Sequence, residues 1–156
     1  MSIRSKRNEI SFRPLKRQDL ELVLAWRSNP EIYEHFRKQQ GPLTWEEHLN
    51  WFNNRHQDRS DYMIKYEGRR VGSVFVDEKG FVGTYIGETS LWGNGIGTEA
   101  TEWICQQHHP GNELRAEIHK ENDASIQLFK RCDFVPEARD ENWVIYRFEP
   151  DKRTEA

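Results

Sequence analysis

The chain has 156 residues, which suits one domain around one core, and its 6 Trp, 5 Tyr and 8 Phe exclude a disordered polymer. Acidic and basic side chains (26 and 23) are well mixed and leave a net charge of −3, without the basic excess of a nucleic-acid binder. No apolar run approaches a membrane span and the first residues lack the apolar core of a signal peptide, so neither nucleic acid nor membrane is expected as a partner and a cytoplasmic location is expected.

Ile10 to Leu15 reads as a short strand ended by Pro14. Asp19 is placed to cap a helix with Leu20, Val23, Leu24 and Arg27 on one face, and Asn29-Pro30 stops or kinks it before a short helical piece at Ile32 to Phe36. Gly41-Pro42 breaks the chain again. Thr44 and Glu47 then form a capping box that opens a helix carrying Trp45, His48, Leu49 and Phe52 on one side. Three strands follow, over Tyr62–Tyr66, Val71–Val76 and Phe81–Ile86, with Gly68 in the first turn and Asp77 to Gly80 in the second. Ile96, Ala100, Trp103 and Ile104 mark a helix, and Leu114, Ala116 and Ile118 a strand. A last helix carries Ser125, Leu128, Phe129 and Cys132, and a last strand runs over Trp143–Phe148. Residues 1–156 form a single domain in this reading, with 1–9 and 149–156 as frayed ends. Cys105 and Cys132 lie within helices and read as buried small hydrophobes rather than a disulfide. His108-His109 is no metal site in this reading, because adjacent helical residues face apart, and no zinc-type Cys/His spacing occurs.

The most informative segment is Trp92-Gly93-Asn94-Gly95-Ile96-Gly97-Thr98, between the strand-rich stretch and a helix. Alternate glycines allow a sharp turn with bare N–H groups, and the following helix directs its positive end at the same point, which suits a pyrophosphate. A phosphate loop of the Gly-Lys-Ser/Thr type is excluded because the lysine is missing. The dinucleotide fingerprint is excluded by glycine spacing and by hairpins where a parallel unit is required. A second segment, Asn122-Asp123-Ala124-Ser125-Ile126-Gln127-Leu128-Phe129, opens another helix.

Together, Leu91–Ala100 and Glu121–Phe134 resemble the GNAT family of acyl-coenzyme A N-acyltransferases, and the order of elements over Ile10–Phe148 agrees. The resemblance implies an α+β domain in which a mixed, mainly antiparallel sheet of six to seven strands, with splayed central strands, is flanked by about four helices. It implies acetyl-CoA as co-substrate, no metal, a small-molecule amine as acceptor, and leaves a homodimer open. Backbone amides from Gly93 through Thr98 (Gly93, Asn94, Gly95, Ile96, Gly97, Thr98) would hold the pyrophosphate. Trp92 stands where the family often has Arg or Gln, which removes one phosphate contact and leaves the backbone cradle. The strand ending at Tyr85-Ile86-Gly87 would bulge and pair with the pantetheine arm, with the Ile86 N–H facing the thioester oxygen. Asn122 would face the pantetheine or cap its helix; Ser125 would touch the cofactor or pack. Lys120, Lys130 and Arg131 are within reach of the ribose phosphate or are plain surface charges.

Phe129 replaces a tyrosine that in many relatives protonates the leaving thiolate. A positioned acid is worth about 10²–10⁴-fold, but a thiol of pKa about 8.5 leaves fairly well unaided, and water or Tyr85 can serve. Glu117 occupies the position of a catalytic glutamate in ribosomal-protein-type members and would take the proton of the amine, or would pair with a neighbouring Arg or Lys; His119 and Glu88 are the alternatives. The phrases "AWRSNPEIYEHF" and "GPLTWEEHLNWF" look like the subgroup that acetylates nucleotide-linked amino sugars, although Trp-Arg-x-x-Pro also occurs in relatives that acetylate protein N-termini. Among Trp26, Arg27, Tyr33, His35, Phe36, His48 and Trp51, Arg27 and His48 are the chosen acceptor contacts. Three functions remain open here: an acetyltransferase for a small amine, one for a peptide amine, and a non-catalytic acetyl-CoA-binding domain.

Overall fold

The structure, a computed structural model, describes residues 9–150, so most of the ends expected to fray, with the Arg4–Arg7 run, lie outside the described residues. Four antiparallel strands form the first sheet in sequential order: β1 (Ile10–Pro14), β2 (Ser60–Tyr66), β3 (Arg69–Val76) and β4 (Val82–Ile86). Three strands form the second, in the order β5 (Arg115–His119), β7 (Trp143–Phe148), β6 (Phe134–Asp140). The helices are α1 (Leu20–Arg27), the one-turn α2 (Pro30–Tyr33), α3 (Trp45–Asn53), α4 (Ile96–His108) and α5 (Asp123–Arg131).

The sheets meet where β4 and β5 run side by side. A single parallel bridge, Phe81 to Arg115, joins them, and the Arg115 N–H donates to the Gly80 carbonyl at 2.9 Å. No ladder continues from there among the described residues, so the two central strands part toward Ile86. The bridge also fixes which side chains share a face, because strand residues alternate. Gly83 and Tyr85 fall on the same side as Glu117 and His119. Val82 and Ile86 fall on the other side with Ala116 and Ile118, in the main core with Ala100, Ile104 and Phe129 of α4 and α5. Tyr85 instead joins a second cluster with Leu20, Val23, Trp26 and Ile32, under α1 to α3.

Local chemistry explains the element boundaries. Thr44 Oγ1 accepts from Glu47 N–H at 3.1 Å and Glu47 returns the bond to Thr44 N–H at 2.9 Å, the capping box expected for α3. Asn29 caps α2 by accepting from Glu31 N–H, with Pro30 at the first helical position, so α2 starts two residues earlier than expected. Asp19 does not cap α1. Its fully buried carboxylate takes Arg13 at 2.8 Å, Arg70 at 3.1 Å and the Lys16 N–H at 2.9 Å. Burial pushes this carboxyl upward, yet the bonds from Arg13, Lys16 and Arg70 outweigh it and hold the pKa at about 2. Strand β6 was not foreseen: it is mostly exposed and holds Pro136, which an edge strand tolerates beside the irregularity at Pro136/Ala138. Cys105 and Cys132 are both buried, as expected, with Cys132 at the C-cap of α5 rather than within it. No helix among the described residues is long and apolar enough to cross a membrane.

Candidate active site

The glycine loop leaves β4 through a short turn at Thr89–Leu91 and enters α4 at Ile96. Gly93 and Gly95 have φ of 85° and 82°, the left-handed region that L side chains avoid. Gly95 is the N-cap of α4 and supplies no side-chain cap, so the first amides of the helix point outward without an internal acceptor from that position. Residues 92–95 are exposed, whereas Ile96 is buried and anchors the helix start. Thr101 fixes the loop over β4, accepting or donating to Thr84 Oγ1 at 2.8 Å while bonding the Gly97 carbonyl at 2.8 Å. Gly97 has a packing role: a Cβ there would lie 3.0 Å from Leu128 of α5. Cys132 Sγ lies 3.5 Å from the Thr98 carbonyl, so the last turn of α5 borders the first turn of α4. Lys130 and Arg131, both exposed, belong to that last turn.

Beside the loop, Gly87 and Glu88 N–H both donate to the Val71 carbonyl, at 2.7 and 3.2 Å. Two residues opposite one make a β-bulge, at the strand end where the family resemblance implies one. The alternation of the antiparallel ladder then turns the Ile86 N–H and carbonyl away from β3, toward the gap beside β5. Trp92, 45% exposed, donates its indole N–H to that Ile86 carbonyl at 2.8 Å. Gly87 leaves room for the Trp26 indole, since a Cβ would stand 2.1 Å from it, and Trp26 donates to Glu88 at 3.3 Å.

The other expected donor-side residues sit as follows. Asn122 caps α5 by accepting from Ser125 N–H at 3.3 Å. Ser125 is half-buried, and Phe129 is buried with its ring edge-on to Phe134 at 5.0 Å. Lys120 is exposed, and its N–H donates to the Asn142 carbonyl.

Across the sheet, Tyr85 makes edge contacts with Phe36 at 5.5 Å and Trp26 at 6.3 Å. Burial pushes its phenol well above the usual value, with Arg27 pulling the other way, so the hydroxyl keeps its proton. Arg27 lies 5.5 Å from the Phe36 ring and 5.7 Å from the Trp51 ring. Its Nε donates to Gln39 Oε1 at 3.2 Å, and no carboxylate among the described residues is within ion-pair distance. Asp61 nearby is already shared by Arg55 and Arg59. Burial lowers the Arg27 pKa from its ordinary value, yet an arginine remains charged.

His48 has no exposed surface. It stacks on Trp51 at 5.6 Å and neither ring nitrogen has a hydrogen-bond partner. Burial, then the Arg27 charge, lowers its pKa; the Leu20 carbonyl pulls weakly the other way from outside bonding geometry. Glu117 is held by Arg37 at 2.6 Å, the ion-pair alternative of the sequence reading. His119 accepts from Glu121 N–H and meets Trp143 edge-on. Tyr33 is half-buried on α2, and His35 lies 3.6 Å from Glu34.

Sequence reasoning missed Arg37 and Gln39. Gln39 is buried and donates to the Arg27 and Gly41 carbonyls at 2.6 and 2.8 Å, tying the segment between α2 and α3 to the end of α1. Both lie in "FRKQQG", which has no periodicity, and the partners of Arg37 are 80 and 103 residues away.

Central strands that part beside an uncapped, glycine-cradled helix start leave a gap with bare backbone amides at one end. The family model described as Acetyltransferase (GNAT) domain matches residues 9–135. The chain is a member of that family. It is 35% identical over 149 residues to the uncharacterized protein MJ1062 of Methanocaldococcus jannaschii, covering 88% of this chain but only 31% of that protein, so the chain spans about a third of this relative. A crystal structure of a domain from M. jannaschii superposes with a TM-score of 0.82 at 36% identity, over 88% of this chain and 96% of that one. The acetyltransferase PseH of Campylobacter jejuni is 25% identical over 135 residues, 80% of this chain and 82% of that protein. The aminoglycoside acetyltransferase AAC(6')-Ib, crystallised with coenzyme A, shares the fold with a TM-score of 0.77 at 13% identity, over 94% and 99% of the two chains.

Proposed function

We propose that the chain transfers an acetyl group from acetyl-CoA to the primary amine of a small molecule, with a nucleotide-linked amino sugar as the favoured acceptor. The observation that carries this reading is the pairing of two backbone devices. The alternation of the β3–β4 ladder leaves the Ile86 N–H facing the gap, just before the bulge at Gly87–Glu88, and the uncapped start of α4 stands beside it. Amides of Gly93–Thr98 suit a pyrophosphate, and Lys130 and Arg131 suit the ribose phosphate. Asn122 and Ser125 flank the path between. Acetyl-CoA supplies the activated acyl carbon.

The remaining chemistry falls to the chain's own groups. Ile86 N–H donates to the thioester oxygen as negative charge develops there. Glu117, on the acceptor face, takes a proton from the incoming ammonium so that the neutral amine attacks the carbonyl carbon and the carbon–sulfur bond breaks. Water, or Tyr85 on that face, then protonates the departing thiolate in place of the tyrosine that Phe129 replaces. Arg27, a half-buried cation without a carboxylate, suits a phosphate of the acceptor, with His48 one layer behind Trp51. The relationship to the acetyltransferase PseH supports acetyl transfer, and the phrases at 25–36 and 41–52 support the amino-sugar class.

A second reading, a non-catalytic acetyl-CoA-binding domain, is favoured by the Arg37–Glu117 pair and by Phe129. Thiol release from acetyl-CoA across a panel of amino sugars, polyamines and peptides separates the two. Amine-dependent release, strongest with a nucleotide-linked amino sugar, is expected. Tight acetyl-CoA binding with no release on any acceptor selects the second reading.

A further inference from the structure

Arg37 belongs to the segment that leaves α2 and crosses to the second sheet before returning to α3. Its Nη1 donates to Glu117 Oε2 at 2.6 Å, its Nη2 to Asp140 Oδ2 at 2.8 Å, and its guanidinium carbon stands 5.5 Å from the Trp143 ring. The two carboxylates come from β5 and β6, the strands on either side of β7: Glu117 pairs with Ile145, and Asp140 pairs with Trp143 two residues along β7. Two carboxylates and an aromatic face are the groups that receive an organic cation. Glu117 also shares its face with Tyr85. The position where an acceptor ammonium would meet its base is thus held by a cation of the protein itself.

The same segment carries Gln39, whose carbonyl oxygen takes the Arg27 Nε and whose amide nitrogen donates to the Arg27 carbonyl. One strap therefore sets both charges of the acceptor face. Gln39 holds the Arg27 Nε, and Arg37 neutralises Glu117.

We propose that Arg37 is an internal stand-in for the acceptor's ammonium: the acceptor enters by displacing the Arg37 guanidinium from Glu117, which makes Arg37 a positioning residue that selects for cationic amines. The inference rests on the reading of Glu117 as the group that meets the acceptor amine. On displacement Arg37 keeps Asp140 as its partner, so the exchange costs one ion pair and gains another. An amine that arrives uncharged gains no such pair and is disfavoured.

The test compares wild type with Arg37→Ala and Arg37→Lys, using an accepted amine from the panel and guanidinium chloride against sodium chloride as the ionic-strength control. Arg37→Ala should lower the acceptor KM by about two- to fivefold, the range for half-exposed ion pairs, with a smaller change in kcat. Millimolar guanidinium should inhibit that variant competitively against the amine and leave wild type unaffected. Arg37→Lys should fall between. A higher acceptor KM in Arg37→Ala, or guanidinium inhibition that is not competitive, overturns the proposal. Acetyl-CoA titration calorimetry on each variant establishes that the donor side is folded; if Arg37→Ala fails there, the KM of Arg37→Lys decides in the same direction. Should wild type acetylate no amine, crystals of Arg37→Ala soaked in methylguanidinium still decide. The cation seated between Glu117 and Asp140 supports the stand-in role even though the proposed reaction has failed, and its absence there overturns it.

Discussion

The two faces of the central strands are built from different materials. The donor face is made of backbone: positive-φ glycines, a bulge and an uncapped helix start. The acceptor face is made of side chains, with an arginine between rings, a fully buried histidine, and a glutamate held by an arginine from a distant segment. On the proposed reading, the backbone devices would recognise what is common to every reaction of the family, the acyl donor, and their geometry tolerates variation in side chains. The side-chain constellations would recognise what differs among acceptors, and each rests on several long-range contacts.

If the acceptor face carries the proton transfer, Glu117→Gln should lower turnover by about a hundredfold or more, the range for loss of a positioned base. Acetyl-CoA affinity, set on the other face, should be unchanged by calorimetry. Turnover close to wild type at neutral pH would mean that the amine gives its proton directly to water. The donor face predicts the reverse pattern. Gly95→Val forces a β-branched residue to φ near 82°, at a cost of about 1–2 kcal/mol, and should weaken acetyl-CoA binding about tenfold while leaving the acceptor KM alone. An unchanged dissociation constant would remove the loop from the binding site.

The same contrast decides what the sequence made legible. Residues 92–98 announced a loop because glycine needs no partner to reveal its backbone, and the capping box at Thr44/Glu47 is local for the same reason. Alternation and turn signals made six of the seven strands legible; β6 escaped because Pro136 and its exposed neighbours carry no apolar period. Asp19 was misread because a carboxylate before a helix resembles a cap, while its partners Arg13 and Arg70 lie on two other strands. Arg27 was identified on a family phrase, yet Gln39 and Arg37, which set its surroundings and those of Glu117, were invisible. Long-range ion pairs leave no spacing to read.

His48 tests how tightly the acceptor face is closed. Burial lowers its pKa in the folded chain, whereas the unfolded chain binds a proton near the ordinary value of about 6.5. Below that pH the unfolded state takes up the proton first, so the native state loses stability as pH falls from about 6.5 toward the lowered value. His48→Phe removes both unpartnered nitrogens and should flatten this part of the denaturation profile, with a gain of roughly 1 kcal/mol for one buried polar group no longer left unsatisfied. A profile as steep as wild type would assign the acid sensitivity to other groups.

The smallest effect sharpens the contrast most, because the Trp92 side chain bonds the backbone edge proposed to pair with the donor. Its indole N–H occupies the Ile86 carbonyl at 2.8 Å, on the edge of β4 that faces the gap. A pantetheine arm that pairs with this edge competes for the same carbonyl. Trp92→Phe keeps a ring over the loop and frees the acceptor, so acetyl-CoA should bind about two- to tenfold more tightly, the equivalent of one neutral hydrogen bond worth about 0.5–1.5 kcal/mol. Weaker binding would make the indole a direct contact of the donor in place of the missing basic residue. Unchanged binding would place the arm clear of the Ile86 carbonyl and leave only its N–H to face the thioester.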